Sequence, residues 1–568
     1  MDGRGIRNDR TEVLHWDGRL DNRDDLLLRL RESLGSDNCD AAIVRAIYER
    51  WGAGGLVHLI GDWSAVIRDH VNRATVLASD FAGVRPLYYH LQAGRAQWSS
   101  SLQALVDATG VSDLDEQYVA GFLVFGGCPN RTPYKGIYSV PPGHAVYVSS
   151  EGTTIRRFWA MPTGDTIRYR DERRYEEQLR ALFREAVAVR LQTESPVLAE
   201  LSGGLDSSSV VCMANDLMRS AAARASRLNT VSFLWRNSLD EPFIREVESH
   251  CGIEGVHIST HDVPLIAETQ AGGPMPEPVQ PLRSSVAAIA GRLGARTILT
   301  GQGGDLMTGN WFDDSLQVAA SLRRLRIGQA CEEALAWSKI LRLPVYQVLW
   351  RGGRAALPTT LAPAAIYTTS DGSYTPKSAE TSLASGFSDR TGLSEPESFF
   401  SNEWMQAAPE RRKYFRALAT MLELRQLQAP EPLQHLNYTH AFAHRPLVEF
   451  LMTVPADVLC RPGAPRRLMR SAFSDLWPAK LRGRRSKALF NAPWQEALRP
   501  LARTLLEARQ LHVVERGIVD QASVLSRLER LSVGLECNDS QLRQIILFEL
   551  WLRNRADGAL SHQALRAA

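Results

Sequence analysis

The sequence predicts an α/β protein. A mixed α/β amino-terminal domain over residues 1–160 precedes a doubly wound parallel-sheet domain with a helical carboxyl-terminal part over residues 171–560. Two observations carry this. An apolar run, Val197-Leu198-Ala199-Glu200-Leu201, feeds a loop of glycines and serines, Ser202-Gly203-Gly204-Leu205-Asp206-Ser207-Ser208-Ser209; Val210, Val211, Met213 and Ala214 then read as the buried side of a helix. Downstream, strand-like and helix-like segments alternate, as they do when parallel strands are joined by crossover helices.

In chain order, Ala41 to Trp51 has helical spacing with Ile43, Ile47 and Trp51 on one face. Trp63–Asp69, Ala74–Asp80 and Pro86–Tyr89 read as strands. Pro162–Arg170 reads as a linker. A helix from Glu172 to Leu191 follows, its apolar face made of Tyr175, Leu179, Leu182, Phe183, Ala186 and Val187. After the glycine-serine loop come a strand at Leu228–Trp235, a helix at Glu241–Cys251, a short strand at Val256–Ile258 and a strand at Thr297–Leu299. Between Pro358 and Asn402 the chain is rich in Ser, Thr, Pro, Gly and Ala with little periodicity, which reads as a structureless lid or a passive surface loop. The remainder is helical.

Composition excludes several classes. The 568 residues are 44% hydrophobic and 23% charged, those of an ordinary globular chain, and a net charge of +3 leaves no nucleic-acid footprint. The seven cysteines are scattered without a C-x-x-C pair, which fits reduced thiols in a cytoplasmic protein rather than a zinc site or disulfide framework. No apolar run is long enough for membrane insertion, and no apolar signal region opens the chain.

The loop after Leu201 is suited to an anion. Gly203 and Gly204 can take positive φ and bring N–H groups close to a phosphate, and the serine hydroxyls add donors at a helix N-terminus whose dipole favours negative charge. No Gly-Lys-Ser/Thr follows, so this is not a Walker A loop, nor is it a G-x-G-x-x-G dinucleotide turn. Asp206 would repel a phosphate unless a cation bridges them, most simply Mg²⁺ on hard oxygen ligands. Ligands of doubly wound sheets sit beyond the carboxyl ends of the strands. That places the Ser202 loop at one strand end, Ser232-Phe233-Leu234 at a second as an adenine-side wall, and Thr300-Gly301-Gln302-Gly303-Gly304-Asp305 at a third. Asp305 then pairs with Asp206 on the metal, or else only caps the following helix.

Ser202-Gly203-Gly204-Leu205-Asp206-Ser207-Ser208 resembles the pyrophosphatase loop of the asparagine synthetase superfamily, whose members adenylate a carboxylate with ATP and let an amine displace AMP. The resemblance implies ATP contacts from Leu201, Ser202, Gly203, Gly204, Asp206, Ser207, Ser208, Ser232, Phe233, Gly301, Gly303 and Gly304, with Mg²⁺ on Asp206 and Asp305. It extends to Ala441–Phe450, Arg466–Arg470 and Arg484–Phe490, where Lys487 falls on the family's catalytic lysine. A cation there would neutralise the leaving pyrophosphate and the oxyanion formed as the amine attacks. Gln302 stands where asparagine synthetases carry a glutamate and β-lactam synthetases a tyrosine; it can donate and accept hydrogen bonds but cannot take a proton near neutrality. His444 replaces a usual acid.

Upstream, Asp17–Asn22, Tyr48–Gly52, Asp80–Tyr89, Lys135–Ile137 and Pro141–His144 resemble the landmarks of a class II glutamine amidotransferase domain, which implies a layered α/β sandwich. Such glutaminases use the thiol of a cysteine exposed as residue one, whereas here Met1 is followed by Asp2 and the first thiol is Cys39. The Asn-Gly-Glu that holds glutamine in the family is here Asp17-Gly18-Arg19, so the domain is expected to be a degenerate, structural module. Among branches with a dead amidotransferase domain, Leu201–Ser209 and Gly301–Asp305 are most similar to lasso peptide cyclases. That resemblance implies adenylation of an internal Asp or Glu side chain of a leader-trimmed precursor peptide, followed by attack of the peptide's own α-amine to close a macrolactam. A leader-binding protein and a leader peptidase would be partners. The rival readings are an ammonia-dependent asparagine synthetase, a β-lactam-forming synthetase and a non-catalytic binding scaffold.

Overall fold

The computed structural model describes residues 11–567 except 31–37, 93, 165, 267–272, 278, 358–381, 393–397, 486–490, 509 and 536–538. The amino-terminal part holds strands β1 (Thr11–Gly18), β2 (Trp63–Asp69), β3 (Ala74–Ser79), β4 (Tyr88–Gln92), β5 (Arg95–Ser99), β6 (Ile137–Ser139), β7 (His144–Ser149) and β8 (Gly152–Arg157). They form two antiparallel sheets, ordered β1-β2-β3-β7-β8 and β5-β4-β6.

Strand alternation makes the layers. Ala65 and Ile67 of β2 pack under helices α1 (Arg23–Arg29) and α2 (Asp40–Trp51) with Leu26, Ile43 and Ile47, while Val66 points the other way to meet Leu87, Tyr89 and Val140 of the second sheet. The far face of that sheet carries Tyr88 and Ile137 against α3 (Leu102–Thr109) and α4 (Glu116–Phe125). The result is the helix-sheet-sheet-helix sandwich that the sequence implied. Both capped helices show local causes: Ser101 Oγ and Asp115 Oδ1 accept from the N–H groups of Ala104 and Tyr118, and each helix ends on a left-handed glycine, Gly110 or Gly126. Trp51 departs from expectation. Ile43 and Ile47 are buried, but Trp51 is 40% exposed under the Arg50 guanidinium, because the buried stripe runs through Val44 and Tyr48 instead.

The second part is built on a five-stranded parallel sheet of β9 (Val197–Glu200), β10 (Leu228–Leu234), β11 (Gly255–Ser259), β12 (Thr297–Thr300) and β13 (Asn437–His440), in the order β11-β10-β9-β12-β13. Helices α5 (Arg173–Ala188), α6 (Leu205–Arg219) and α7 (Glu241–Cys251) cover the face reached by Val197, Ala199 and Leu299. Helix α8 (Gln280–Leu293) covers the face reached by Leu198, Val231 and Ile298. The expected strands and helices of this sheet are present with shifts of a few residues at their ends, and β13 was not anticipated.

The described residues of Pro162–Arg170 join β8 to α5 without regular structure, as a linker does, but are pinned to the second part: the Ile167 N–H donates to Thr453 O, and Arg411 donates to the carbonyls of Pro162 and Gly164. One expectation is corrected. Within the 358–402 stretch the described residues include a helix, Ser385–Thr391, seated by the buried Phe387, and a bridge between Leu383 and Val519. The remainder of that stretch at 358–381 and 393–397 lies outside the described residues.

The apolar cores cross from one part to the other. Phe81 and Trp159 join Phe183, Phe400 and Phe442 on one side of the parallel sheet, and Tyr118 and Phe122 join Phe548 and Trp551 on the other. Among the described residues no helix is long and apolar enough to cross a membrane.

Candidate functional site

The site lies at the carboxyl ends of β9, β10 and β12. Leaving β9, the chain turns at Gly203, whose φ of 70° favours glycine, and enters α6 directly. Serines tie the loop to the first turn: the Ser202 N–H donates to Ser207 Oγ at 3.1 Å, and Ser209 Oγ donates to Leu205 O at 2.6 Å while accepting from Trp477 Nε1 at 2.9 Å. The hydroxyls of Ser208 and Ser232 are buried with no protein partner among the described residues.

Beyond β12, residues Gly301–Asp305 turn through Gly303, φ 86°, into α9 (Gly304–Met307). This second loop rests directly on the first. A Cβ on Gly301 would stand 2.5 Å from Ser207 N, and one on Gly304 would stand 2.4 Å from Asp206 Oδ1. Only glycine permits that approach, and it brings the loops of Asp206 and Asp305 together. Asp305 is half-buried, and its Oδ1 accepts from the Leu306 N–H at 3.2 Å.

Arginines that sequence reasoning left unassigned complete the wall. Arg466 Nη1 donates to Asp206 Oδ1 at 2.5 Å with both groups largely buried, and its backbone sits in the left-handed region, N–H bound to Gly309 O. Arg484 donates to Gly203 O at 2.6 Å, pairs with Asp240 and lies 4.2 Å over the Phe243 ring. Arg470 in turn donates to Arg484 O at 2.7 Å. Their signal in the sequence was the basic strings at 466–470 and 484–485, but which members turn inward is decided by contacts some 260 to 280 residues away. Lys487 falls within 486–490, outside the described residues.

The residues present fit a magnesium nucleotide. Among the described residues no three acidic, histidine or cysteine side chains converge as a metal cage. Mg²⁺ needs none, since it takes one or two carboxylates and fills its remaining positions with phosphate oxygens and water. Asp206 and Asp305 could supply those carboxylates, and Arg466 and Arg484 match the charge and acceptor oxygens of phosphates.

The expected adenine wall divides. Alternate residues of β10 face opposite sides, so Ser232 and Leu234 point to the α6 face, whereas Phe233 packs on the α8 face with the Arg283 guanidinium 5.8 Å from its ring. Ser232 and Phe233 therefore do not form one surface.

Gln302 is held at both ends. Its side-chain amide donates to Gln426 O at 2.5 Å, and its N–H donates to Thr300 Oγ1 at 3.2 Å. Thr300 Oγ1 lies 2.6 Å from His440 Nδ1, and His440 Nε2 lies 2.8 Å from Leu427 O. Burial pushes the His440 ring down to about 4, so it is neutral. A carbonyl can only accept; Nε2 therefore carries the proton, Nδ1 accepts from the Thr300 hydroxyl, and His440 is no base for an incoming group.

In the amino-terminal part, Arg19 fills the place expected of a glutamine-binding acid. It is half-buried, with Nε 2.5 Å from Asp21 Oδ1 and Nη2 3.0 Å from Asp62 Oδ2. Although burial opposes ionisation of Asp62, the cations Arg19 and Arg190 and the Thr439 hydroxyl hold its carboxyl well below the usual range.

The sequence pattern of the family described as "Asparagine synthase" matches residues 178–553, and that described as "Glutamine amidotransferase domain" matches residues 6–159. The chain is 27% identical over 306 residues to Amidase chyE of Penicillium rubens, covering 48% of this chain and 43% of that one. It is 29% identical over 219 residues to asparagine synthetase [glutamine-hydrolyzing] 3 of Bacillus subtilis, covering 36% and 34%. Against asparagine synthetase [glutamine-hydrolyzing] 2 of Arabidopsis thaliana it is 28% identical over 335 residues, covering 54% and 50%. The match thus spans half or less of the length of these curated relatives.

Proposed function

Because the chain belongs to the asparagine synthase family, we propose that it is an ATP-dependent amide-forming ligase that closes a macrolactam in a leader-trimmed precursor peptide, as lasso peptide cyclases do. Residues 1–160 and 171–560 are its degenerate amidotransferase-like and synthetase domains.

The observation that carries this reading is the contrast between the two halves. The Ser202 and Gly301 loops keep the contact that a phosphate site needs, while the position that would hold glutamine carries a cation locked between Asp21 and Asp62. A half that keeps the two glycine loops beside a half with Arg19 in the expected glutamine-holding position favours an amine from elsewhere, and a peptide's own α-amine would meet that need intramolecularly. Gln302 supports the same branch, because it is neither the glutamate of an asparagine synthetase nor the tyrosine of a β-lactam synthetase.

In the proposed reaction the N–H groups and hydroxyls of Ser202–Ser208 hold the ATP phosphates, with Arg484 tying the Gly203 backbone in place. Mg²⁺ bound through Asp206 and Asp305 would share the phosphate charge. The peptide's Asp or Glu carboxylate attacks the α-phosphorus and pyrophosphate leaves, neutralised by Lys487. The neutral α-amine then attacks the acyl-adenylate carbonyl, and AMP leaves with the proton that the nitrogen loses carried on its phosphate. Gln302, fixed through Gln426 and Thr300, orients the amine by hydrogen bonding without taking its proton. A leader-binding protein and a leader peptidase would deliver the peptide.

The test is the mass of a leader-free core peptide from the nearest small open reading frame after incubation with the chain, ATP and Mg²⁺, with Asp206→Ala as control. Loss of one water coupled to AMP, absent in the variant, is the expected result. AMP formed only with aspartate and ammonia would overturn the macrolactam reading in favour of asparagine synthesis.

A further inference from the structure

Two sets of hydrogen bonds, joined through the backbone of β13, connect the lost glutamine pocket with the synthetase site. Asp62, in the bend just before β2, accepts from Arg19 Nη2 at 3.0 Å and from Thr439 Oγ1 at 2.6 Å, and Arg190 Nη2 stands 3.4 Å from its other oxygen. Arg190 also donates through Nε to Thr439 Oγ1 at 2.9 Å and through Nη1 to Ala186 O at 2.7 Å. Asp21, the second partner of Arg19, lies 3.4 Å from His444 Nδ1, whose Nε2 is 3.5 Å from Glu185. Thr439 and His440 are consecutive in β13, and β13 pairs with β12 through Thr300 and His440. From His440 the bonds continue to Thr300 and so to the Gln302 N–H, and from its other nitrogen to the loop whose Gln426 carbonyl holds the Gln302 amide.

The geometry points to Arg19 as a positioning residue for the synthetase site: through Asp62 and Thr439 it sets strand β13, and through His440 and Thr300 it sets the Gln302 loop. Its catalytic consequence rests on the function proposed above; its structural wiring does not. The charges account for the residue type. Arg19 and Arg190 balance Asp21 and Asp62 in a buried cluster, and a glutamate at position 19 would bring a third carboxylate against those two where burial already opposes ionisation. The pocket has not merely decayed, because its floor has become a brace. The unanticipated strand β13 is the element that receives it.

Hydrogen–deuterium exchange on the full chain reads this wiring without any activity. In Arg19→Met, peptides covering 437–444 and 300–307 are expected to exchange roughly tenfold faster, the effect of losing a charged hydrogen bond, while the β10 peptide 228–234 is unchanged. Arg19→Lys, which keeps the charge, restores most of the protection. Thr439→Val cuts the link from the synthetase side and serves if the Arg19 variant does not fold; it should loosen 300–307 in the same way. Changes confined to residues 11–70 in both variants would overturn the proposal.

Two assays then separate this inference from the functional reading. With core peptide, Arg19→Met should lose roughly 10- to 100-fold in ring closure through misplaced Gln302 and clearly less in ATP–pyrophosphate exchange, which feels only the loosened Gly301–Asp305 side of the nucleotide site and keeps the Ser202 loop. Equal loss in both steps would overturn the positioning role. Protection changes as described in a chain that exchanges no pyrophosphate with the peptide would leave the wiring standing and refute the ligase reading instead.

Discussion

Replacing Gly301 by alanine tests the packing of the two site loops. Gly301 has no positive φ, so the added methyl introduces no backbone strain of its own. It would stand 2.5 Å from Ser207 N, 2.7 Å from Ser207 Cα and 2.8 Å from the Asp206 carbonyl carbon. These atoms are backbone in the first turn of α6 and have no rotamer with which to yield. Restoring an ordinary contact of about 3.5 Å requires the loops to part by roughly 1 Å. Overpacking of that size costs about 1–3 kcal/mol of stability, and a displacement of that size between groups holding one nucleotide costs on the order of 100-fold in rate. The assay is peptide-dependent ATP–pyrophosphate exchange beside a thermal melt. Gly328→Ala is the control: its Cβ meets nothing within 4 Å, and it sits in the helix Ile327–Leu341, where alanine should add up to about 1 kcal/mol. Wild-type exchange and melting temperature in Gly301→Ala would refute the view that the two loops form one site through this contact.

Further expectations concern buried charges and thiols. Arg484→Met removes the donor to Gly203 O and the cation beside Asp240, so urea unfolding should show a loss of about 3 kcal/mol together with a raised KM for ATP; an unchanged midpoint would contradict it. Burial, reinforced by the charge of Asp62, pushes Asp80 up to about 7 against its three backbone N–H bonds. The folded carboxyl keeps its proton between about pH 4 and 7 where the unfolded one loses it, so the folded state binds more protons and stability falls as pH rises across that window, by up to about 4 kcal/mol. Glu277, also pushed up to about 7 by burial, adds the same sign, and Asp80→Asn should therefore flatten the slope only in part; an identical slope would exclude Asp80 as a source. Cys39 and Cys331 are exposed, whereas burial pushes the thiols of Cys128 and Cys460 up to about 11 and about 12. Maleimide labelling under native conditions, mapped by mass, should reach the first two long before the others.

What the sequence determined by itself is local in origin. The Ser202–Ser208 loop, the Gly301–Asp305 loop and the alternation around them are legible because a strand, a glycine turn and a helix start each leave a pattern within a dozen residues. Strand β13 left none: Asn437-Tyr438-Thr439-His440 is short and polar, and it is a strand only because β12 offers it an edge. Trp51 fitted a helical stripe by spacing alone, yet the neighbouring sheet had room for Tyr48 instead. Among many arginines, the pairing of Arg466 with Asp206 and of Arg484 with Asp240 follows from approaches across 260 and 244 residues. Arg19 read in sequence as the loss of a glutamine contact; its engagement with Asp62, and of Asp62 with Thr439 377 residues later, is visible only once the two halves share a core. Periodicity and loop chemistry are properties of neighbouring residues, whereas the partner of a buried charge is chosen by the tertiary packing that removes the water from around it.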